Sequence, residues 1–537
     1  MKAKLQPICA KPLLWKGYDF KYTFSYLGNP KPNRMRFIVR LLLVNLLTIT
    51  TFFDVNAQAQ KAVIPGDFAD PSVIRKGNQY FAVGTSSEWA PHFPIYTSSN
   101  LKDWKQTGYV FDKAPEWTSG SFWAPEYYFH NNTYFIYYTA RRKKDNVSYI
   151  GVATSTYPDR GFKDHGAIIE YGKEAIDAFV YNENGQLYIT FKAYGLDDRP
   201  IEILGSKLSA DGLKLEGEPF TLFKDDKKIG LEGQSIIKKD GFYYLFYSAG
   251  NCCGIQCDYN VRVARSKDFK GPYVDFDKNP ILQENADWKC SGHGTFVNTP
   301  AGKTFYLYHS YHKTTTVYTG RQGMLAELTW PVAAGWPVFK AASATSGTDA
   351  NSNVNDDFSA SKPSLAWQWD FRNSSPVLTQ SAGNLLISGS TKASNNSGIA
   401  ITRRPVSNSF EMVTTLVNEN AAQKGLVFYG DANASIGVGV VGYKVEFWKV
   451  QDNKRSVISD ATILANAMVS LKLTVQADLS CKVFYRTGNA PWKELAGPET
   501  PKVSFLTQWD RSPRIGLNFK GGEDQNAVFS DFMISYK

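Results

Sequence analysis

Three carboxylates and an imidazole draw attention because each opens a copy of one short pattern. They are Asp70 in Asp70-Pro-Ser-Val-Ile, Asp177 in Asp177-Ala-Phe-Val-Tyr, Glu232 in Glu232-Gly-Gln-Ser-Ile and His293 in His293-Gly-Thr-Phe-Val. A fifth copy, Ala124-Pro-Glu-Tyr-Tyr, has alanine at the equivalent point. Carboxylates that face a single cavity must be paired, protonated or bound to something. Like-charge repulsion then raises the proton affinity of at least one of them, which is what a general acid working at neutral pH requires.

The elements that must position these groups repeat with them. The five starts lie 54, 53, 55 and 61 residues apart. After each comes a turn, such as Lys76-Gly-Asn, Glu183-Asn-Gly or Lys239-Asp-Gly, whose residues accept positive φ. Then follows an aromatic strand: Tyr80-Phe-Ala-Val, Tyr134-Phe-Ile-Tyr-Tyr, Leu187-Tyr-Ile-Thr-Phe, Phe242-Tyr-Tyr-Leu-Phe or Phe305-Tyr-Leu-Tyr-His. Further strands recur, as in Ile150-Gly-Val-Ala-Thr and Val261-Arg-Val-Ala-Arg. Four-stranded units at this period, without long helical patterns between them, predict an all-β fold with five propeller blades over residues 60–340. The innermost strands of a propeller line its channel, so Asp70, Ala124, Asp177, Glu232 and His293 are expected to form a ring at one mouth. Trp123 immediately precedes Ala124, Trp89 lies in the loop after blade one's second strand and Arg321 begins the strand after Tyr306-Leu-Tyr-His-Ser, and all three are candidate sugar-binding groups.

Composition narrows the function classes. The chain of 537 residues has 34 Phe, 30 Tyr and 13 Trp, which suits β-structure and leaves rings to stack on a flat ligand. Its net charge of +10 invites a polyanion partner, yet residues 1–59 hold nine basic groups and two acidic ones. Without them the balance is +3, and the nucleic-acid reading falls. Within 1–59, a basic start at Met35-Arg36, an apolar run from Leu41 to Phe53 and Ala57-Gln58-Ala59 read as a secretory signal cleaved near Ala59. The run is short for a membrane span, so the mature protein is expected to be periplasmic or secreted. Five cysteines follow the leader. Cys252, Cys253, Cys257 and Cys290 predict one loop disulfide rather than a zinc site, and Cys481 reads as a buried thiol.

At these motifs the sequence resembles glycoside hydrolase family 43, five-bladed propeller enzymes acting on arabinose- and xylose-containing polysaccharides. The matching segments, in order over about residues 62–340, are Ala69-Asp70-Pro-Ser-Val-Ile, Phe122-Trp-Ala-Pro-Glu126, Ile176-Asp177-Ala, Leu231-Glu232-Gly-Gln and Gly292-His293-Gly-Thr-Phe. The resemblance implies that Asp70 is the general base, Glu232 the general acid, and Asp177 the carboxylate that orients the acid and raises its pKa. It implies that Arg321 contacts sugar, and that His293 sits beside an ordered water network or, in some members, a structural calcium ion. No cofactor is required, and hydrolysis proceeds with inversion. One departure is Ala178, where many members have proline after the aspartate.

Residues 341–355 are small and polar and read as a linker. From 356 to 537 short alternating strands, such as Gly442-Tyr-Lys-Val-Glu-Phe-Trp and Leu471-Lys-Leu-Thr-Val, predict a jelly-roll β-sandwich. This domain is expected to shape the pocket rim. Trp448 and Trp492 are either core or glycan-facing. The leading function is an exported exo-glycosidase that removes terminal α-L-arabinofuranosyl or β-D-xylosyl units from plant cell-wall polysaccharide. The appended sandwich and the loop Trp89-Ala-Pro-His-Phe-Pro favour an exo pocket. An endo-arabinanase is the near alternative, and a non-catalytic glycan-binding propeller the alternative from another class.

Overall fold

The computed structural model describes residues 60–194, 200–342, 352–464, 467–506 and 509–537. The expected signal segment and most of the expected linker lie outside these residues. Five four-stranded antiparallel sheets follow one another at 72–111, 118–169, 174–224, 231–275 and 288–342, with their strands in chain order from the axis outward. These are the five blades. The second strand of each is apolar on both faces; Phe242–Ala249, for example, is buried along almost its whole length. Such a continuous run belongs to a strand covered on both sides, and here neighbouring blades do the covering.

Five separate apolar cores therefore form, one at each blade junction. Phe93, Phe122 and Tyr138 fill the junction of blades one and two; Tyr137, Ile150 and Phe191 that of two and three. Ile203, Leu245 and Tyr247 pack blades three and four, and Phe246, Tyr306 and Met324 blades four and five. The ring closes where Val63, Ile64 and Phe68 of the leading segment join Val73, Leu307 and Leu325 between blades five and one. Backbone bonds from Val63 and Ile64 to Gly323 fasten that segment.

The second half is a β-sandwich. One sheet contains Ser374–Ser381, Asn384–Thr391, Ala527–Tyr536, Phe410–Val417, Met468–Val475, Cys481–Thr487 and Lys493–Glu494, with Val354–Asp356 also paired to Ala527–Tyr536. The other orders Ile399–Arg403, Arg514–Lys520, Gln423–Asp431, Ala434–Val441, Lys444–Gln451 and Lys454–Thr462. Strict alternation of burial along Phe410–Val417 turns Phe410, Met412 and Leu416 inward, as a half-covered strand requires. Trp448 is fully buried, whereas Trp492 is half-buried between Lys472 and Arg486.

The two halves are joined by backbone as well as by side chains. Trp89 and Ala90, in the loop after the second strand of blade one, pair with Asp370 and Trp369 of the sandwich. The Tyr109 hydroxyl donates to the Leu365 carbonyl at 2.5 Å, and Arg404 reaches the Asp67 carbonyl at 2.8 Å. Tyr259, Cys290 and Tyr311 of the propeller belong to the same apolar core as the sandwich interior. Asp510 of the sandwich also reaches the propeller, its carbonyl accepting from Arg321 NH2 at 2.9 Å.

Candidate active site

The inner strands of blades two to five enter their sheets through β-bulges, and the bulges aim the site residues. Asp70, Ala124, Asp177, Gly233 and His293 all have positive φ, between 37° and 59°. The register breaks at Ile176/Phe179 in blade three and at Glu232/Ser235 in blade four, which makes Ile176 the counterpart of Glu232 and Asp177 that of Gly233. The ring position in blade four is thus Gly233, and Glu232 stands one residue earlier, level with Trp123 and Ile176. Only glycine suits position 233: its φ is +58°, and an added Cβ would lie 2.7 Å from the His293 ring. Positive φ in non-glycine residues stores backbone strain, and bulges re-aim side chains beside active sites.

A belt of hydrogen bonds ties successive blades together at this level. Ala124 N donates to Thr85 Oγ1 of blade one (2.8 Å), and Asp177 N to Thr139 Oγ1 of blade two (3.3 Å). His293 N donates to Ser248 Oγ of blade four (2.8 Å), and Asp70 N to His309 Nδ1 of blade five (3.0 Å). The junction of blades three and four differs. Lys192, paired with Ile176, occupies the acceptor's place, and Gly233 N donates instead to Asp177 Oδ2 at 3.0 Å.

Asp70 is buried and heavily held. Thr85 Oγ1 donates to its Oδ2 (2.7 Å), Arg321 NH1 lies 3.1 Å from Oδ1, and His309 Nδ1 lies 3.2 Å from the same oxygen. Burial alone would raise its proton affinity. The Arg321 guanidinium, with His309 and His293 beside it, outweighs burial and keeps the carboxyl well below the usual range. His293 Nδ1 faces Asp70 Oδ1 at 3.6 Å and Asp177 Oδ2 at 3.7 Å. Among the described residues no group of three His, Cys, Asp or Glu side chains is arranged to hold a metal ion.

Asp177 and Glu232 share a buried patch with opposite outcomes. Burial first, and then the negative charges of Glu232 and Asp70, raise Asp177 to about 6 against the pull of His293 and Lys192. Glu232 is also penalised by burial, but Lys192 Nζ at 2.6 Å from Oε2 and the Tyr259 hydroxyl at 2.9 Å from Oε1 bring its pKa below the ordinary value. One carboxyl of the set is raised, as expected, chiefly by burial rather than by repulsion. The raised group is Asp177, however; the expected acid Glu232 is lowered, because a buried ammonium touches it. Gly292 leaves room for the Tyr259 ring, which an added Cβ there would meet at 2.2 Å.

These groups surround a cavity of about 220 Å³, smaller than most small-molecule sites. Asp70, Trp123, Asp177, Glu232, His293 and Arg321 all line it, as their places in the sequence predicted. Trp89 does not. It is 1% exposed, packs edge-on to Tyr429 and lies under Arg514, in the seam between propeller and sandwich. Its loop is drawn away from the mouth by pairing with Trp369 and Asp370.

Sequence reasoning did not single out Arg141, Glu174 and Lys192 on the wall of blades two and three, or Trp509 and Asp510 from the sandwich. Asp510 accepts from Trp123 Nε1 through Oδ2 (3.2 Å) and from Arg321 NH2 through its carbonyl (2.9 Å). Lys192 carried one available signal, a lysine ending the aromatic strand Leu187-Tyr-Ile-Thr-Phe. Trp509 carried none. Among the described residues the cysteines form two disulfides rather than the one expected, Cys252–Cys253 and Cys257–Cys290, with Cys481 free and buried. The adjacent pair also lines the cavity.

A five-bladed propeller with carboxylates gathered at one mouth and a sandwich closing its rim is a glycosidase architecture. Residues 59–337 match glycosyl hydrolases family 43, and residues 355–519 match the beta xylosidase C-terminal concanavalin A-like domain. The chain belongs to family 43 and is an O-glycosyl hydrolase. It is 30% identical over 285 residues to the extracellular exo-alpha-(1->5)-L-arabinofuranosidase ArbA of Cellvibrio japonicus, covering 46% of this chain and 79% of that protein. It is 27% identical to the extracellular endo-alpha-(1->5)-L-arabinanase 1 of Bacillus subtilis, covering 43% and 76%. The family 43 protein BlXynB of Bacillus licheniformis shares the fold over 89% of this chain and 99% of its own, with a TM-score of 0.76 at 21% identity.

Proposed function

We propose that the protein is an exported, inverting exo-glycosidase that removes terminal α-L-arabinofuranosyl or β-D-xylosyl residues from plant cell-wall arabinan or xylan. The observation that carries the exo reading is the small size of the cavity and the sandwich residues on its wall. A space of about 220 Å³, with Trp509 and Asp510 of the sandwich on its wall, suits one sugar ring better than a running chain. Two disulfides support an oxidising compartment, and both curated relatives named above are described as extracellular.

The chemistry divides among the residues on the page. Asp70 stays ionised throughout the working pH range, and Thr85, His309 and Arg321 orient it toward a water. Water attacks the anomeric carbon as Asp70 takes its proton. Glu232, from the opposite side of the ring of blades, delivers a proton to the departing oxygen. Asp177 holds the negative potential that favours a protonated Glu232 and a positively charged sugar. Trp123 and Trp509 offer aromatic surface, and Arg321 a cation, to the sugar.

The test uses aryl α-L-arabinofuranoside and aryl β-D-xyloside beside linear arabinan and xylo-oligosaccharides, with wild type and Glu232→Ala. Release of monosaccharide from chain ends, with the opposite anomer appearing first by NMR, is expected. Loss of the acid should reduce polymer hydrolysis by about 10²–10⁴-fold, and less on aryl sugars with good leaving groups. Oligosaccharides as first products from arabinan make the enzyme endo-acting instead. Retained activity in Glu232→Ala on the polymers refutes the assignment of the acid.

A further inference from the structure

The belt described above has five junctions, and four of them follow one rule. A hydroxyl or imidazole on the second strand of one blade accepts the backbone N–H of the next blade's left-handed residue: Thr85, Thr139, Ser248 and His309. At the fifth junction the same place is held by Lys192, which has no acceptor to offer. Two consequences follow locally. The orphaned Gly233 N–H falls to Asp177 Oδ2, and the Lys192 ammonium is left to reach Glu232 Oε2 at 2.6 Å. The break in the belt therefore coincides with the acid.

The arrangement also leaves Glu232 with a donor on each oxygen, Tyr259 on Oε1 and Lys192 on Oε2. The Tyr259 hydroxyl can turn to accept, but an ammonium only donates, so Oε2 cannot carry the carboxyl hydrogen while Lys192 holds it. Lys192 is nearly buried, with 12% of its side chain exposed, so solvent cannot take its place cheaply. The other groups around Glu232 are Asp177 from blade three, His293 from blade five and Asp70 from blade one, with Glu174 and Arg141 further along the cavity wall. Among these, Lys192 and Tyr259 are the ones that touch the carboxylate.

We propose that Lys192 is a positioning residue for the acid, and that its ammonium controls when Glu232 carries a proton. In the empty cavity it holds Glu232 as the carboxylate. Occupancy of the leaving-group side by the substrate's departing oxygen draws Oε2 away from the ammonium and lets the proton return. The lowered proton affinity of Glu232 agrees with this arrangement. The inference rests on the acid role given to Glu232 above.

The experiment compares pH profiles of kcat/KM for wild type, Lys192→Met, Lys192→Gln and Lys192→Arg on xylo- or arabino-oligosaccharides and on an aryl glycoside. An opposite charge at this range is worth roughly 1–3 pH units, so the alkaline limb should move up by about that much in the Met and Gln variants. Lys192→Arg should keep the wild-type limb. The displacement should be larger on oligosaccharides, whose leaving groups need the proton, than on the aryl sugar. An alkaline limb that stays in place or moves down in Lys192→Gln, which retains a donor without the charge, overturns the proposal. A second readout needs no turnover: the infrared carbonyl band of the protonated Glu232, isolated by subtracting Glu232→Gln, should persist to higher pH in the Lys192→Met background. If wild type cleaves no glycoside, the glycosidase reading fails, and the infrared titration still decides the role of Lys192: an unmoved band overturns it.

Discussion

Replacing Glu126 by glutamine should remove one pH-dependent part of the protein's stability. Glu126 lies in Phe122-Trp-Ala-Pro-Glu126, just below the ring, and is 4% exposed. Ser72 Oγ of blade one donates to its Oε2 at 2.6 Å, and Val180 N of blade three to its Oε1 at 3.4 Å. Burial raises its pKa from 4.5 to about 8, against the three hydrogen bonds that favour the ionised form. The native state therefore binds this proton more tightly than the unfolded chain does. Its stabilisation is complete below about pH 4.5 and is lost progressively as pH rises to about 8.

With those two pKa values and 1.36 kcal/mol per unit, the loss between pH 5 and pH 8 comes to roughly 3–4 kcal/mol. The amide of Glu126→Gln cannot ionise and can still accept from Ser72. Urea unfolding followed by tryptophan fluorescence should show the variant gaining on wild type by roughly that amount between pH 5 and pH 8, since all other titrations cancel in the difference. An unfolding free-energy difference that is the same at both pH values refutes the reasoning, because it would mean that Glu126 is ionised, or protonated, throughout.

Trp509 is 62% exposed and lines the cavity, so one face of its ring is free for a sugar. Full burial of such a side chain is worth about 1.5–3 kcal/mol, and Trp509→Ala should lower kcat/KM roughly ten- to a hundredfold, mostly through KM; unchanged kinetics would place the sugar elsewhere. Reducing Cys252–Cys253 replaces an apolar wall of the cavity with two thiols. KM for the aryl sugars should rise roughly three- to tenfold and return on reoxidation, and Cys252→Ser/Cys253→Ser should no longer respond to reductant. A response that persists in that double variant assigns the effect to Cys257–Cys290 instead.

Much of the architecture was legible along the chain, because a repeated blade repeats its residues. Each turn and aromatic strand reports its own local conformation, and five copies at similar spacing admit few folds. Asp70, Asp177, His293, Trp123 and Arg321 could be placed at the mouth on the same ground. The register of blade four could not, since a bulge adds a residue without any compositional mark. The ring position there is Gly233, and Glu232 stands beside it.

The sequence alone determined that this is an all-β chain with a carboxylate-bearing propeller and a second β-domain. Those properties follow from local periodicity and from motifs that recur. Only the tertiary structure decided the protonation of the site and the closure of its rim. Lys192 touches Glu232 across a blade junction, 40 residues away in sequence, and lowers the proton affinity that burial alone would have raised. Trp89 is carried into the domain seam, while Trp509 and Asp510 come to the cavity from near the end of the chain. Electrostatic and packing partners so distant in sequence leave no periodic trace, and their effects appear only when burial removes the water that would otherwise screen them.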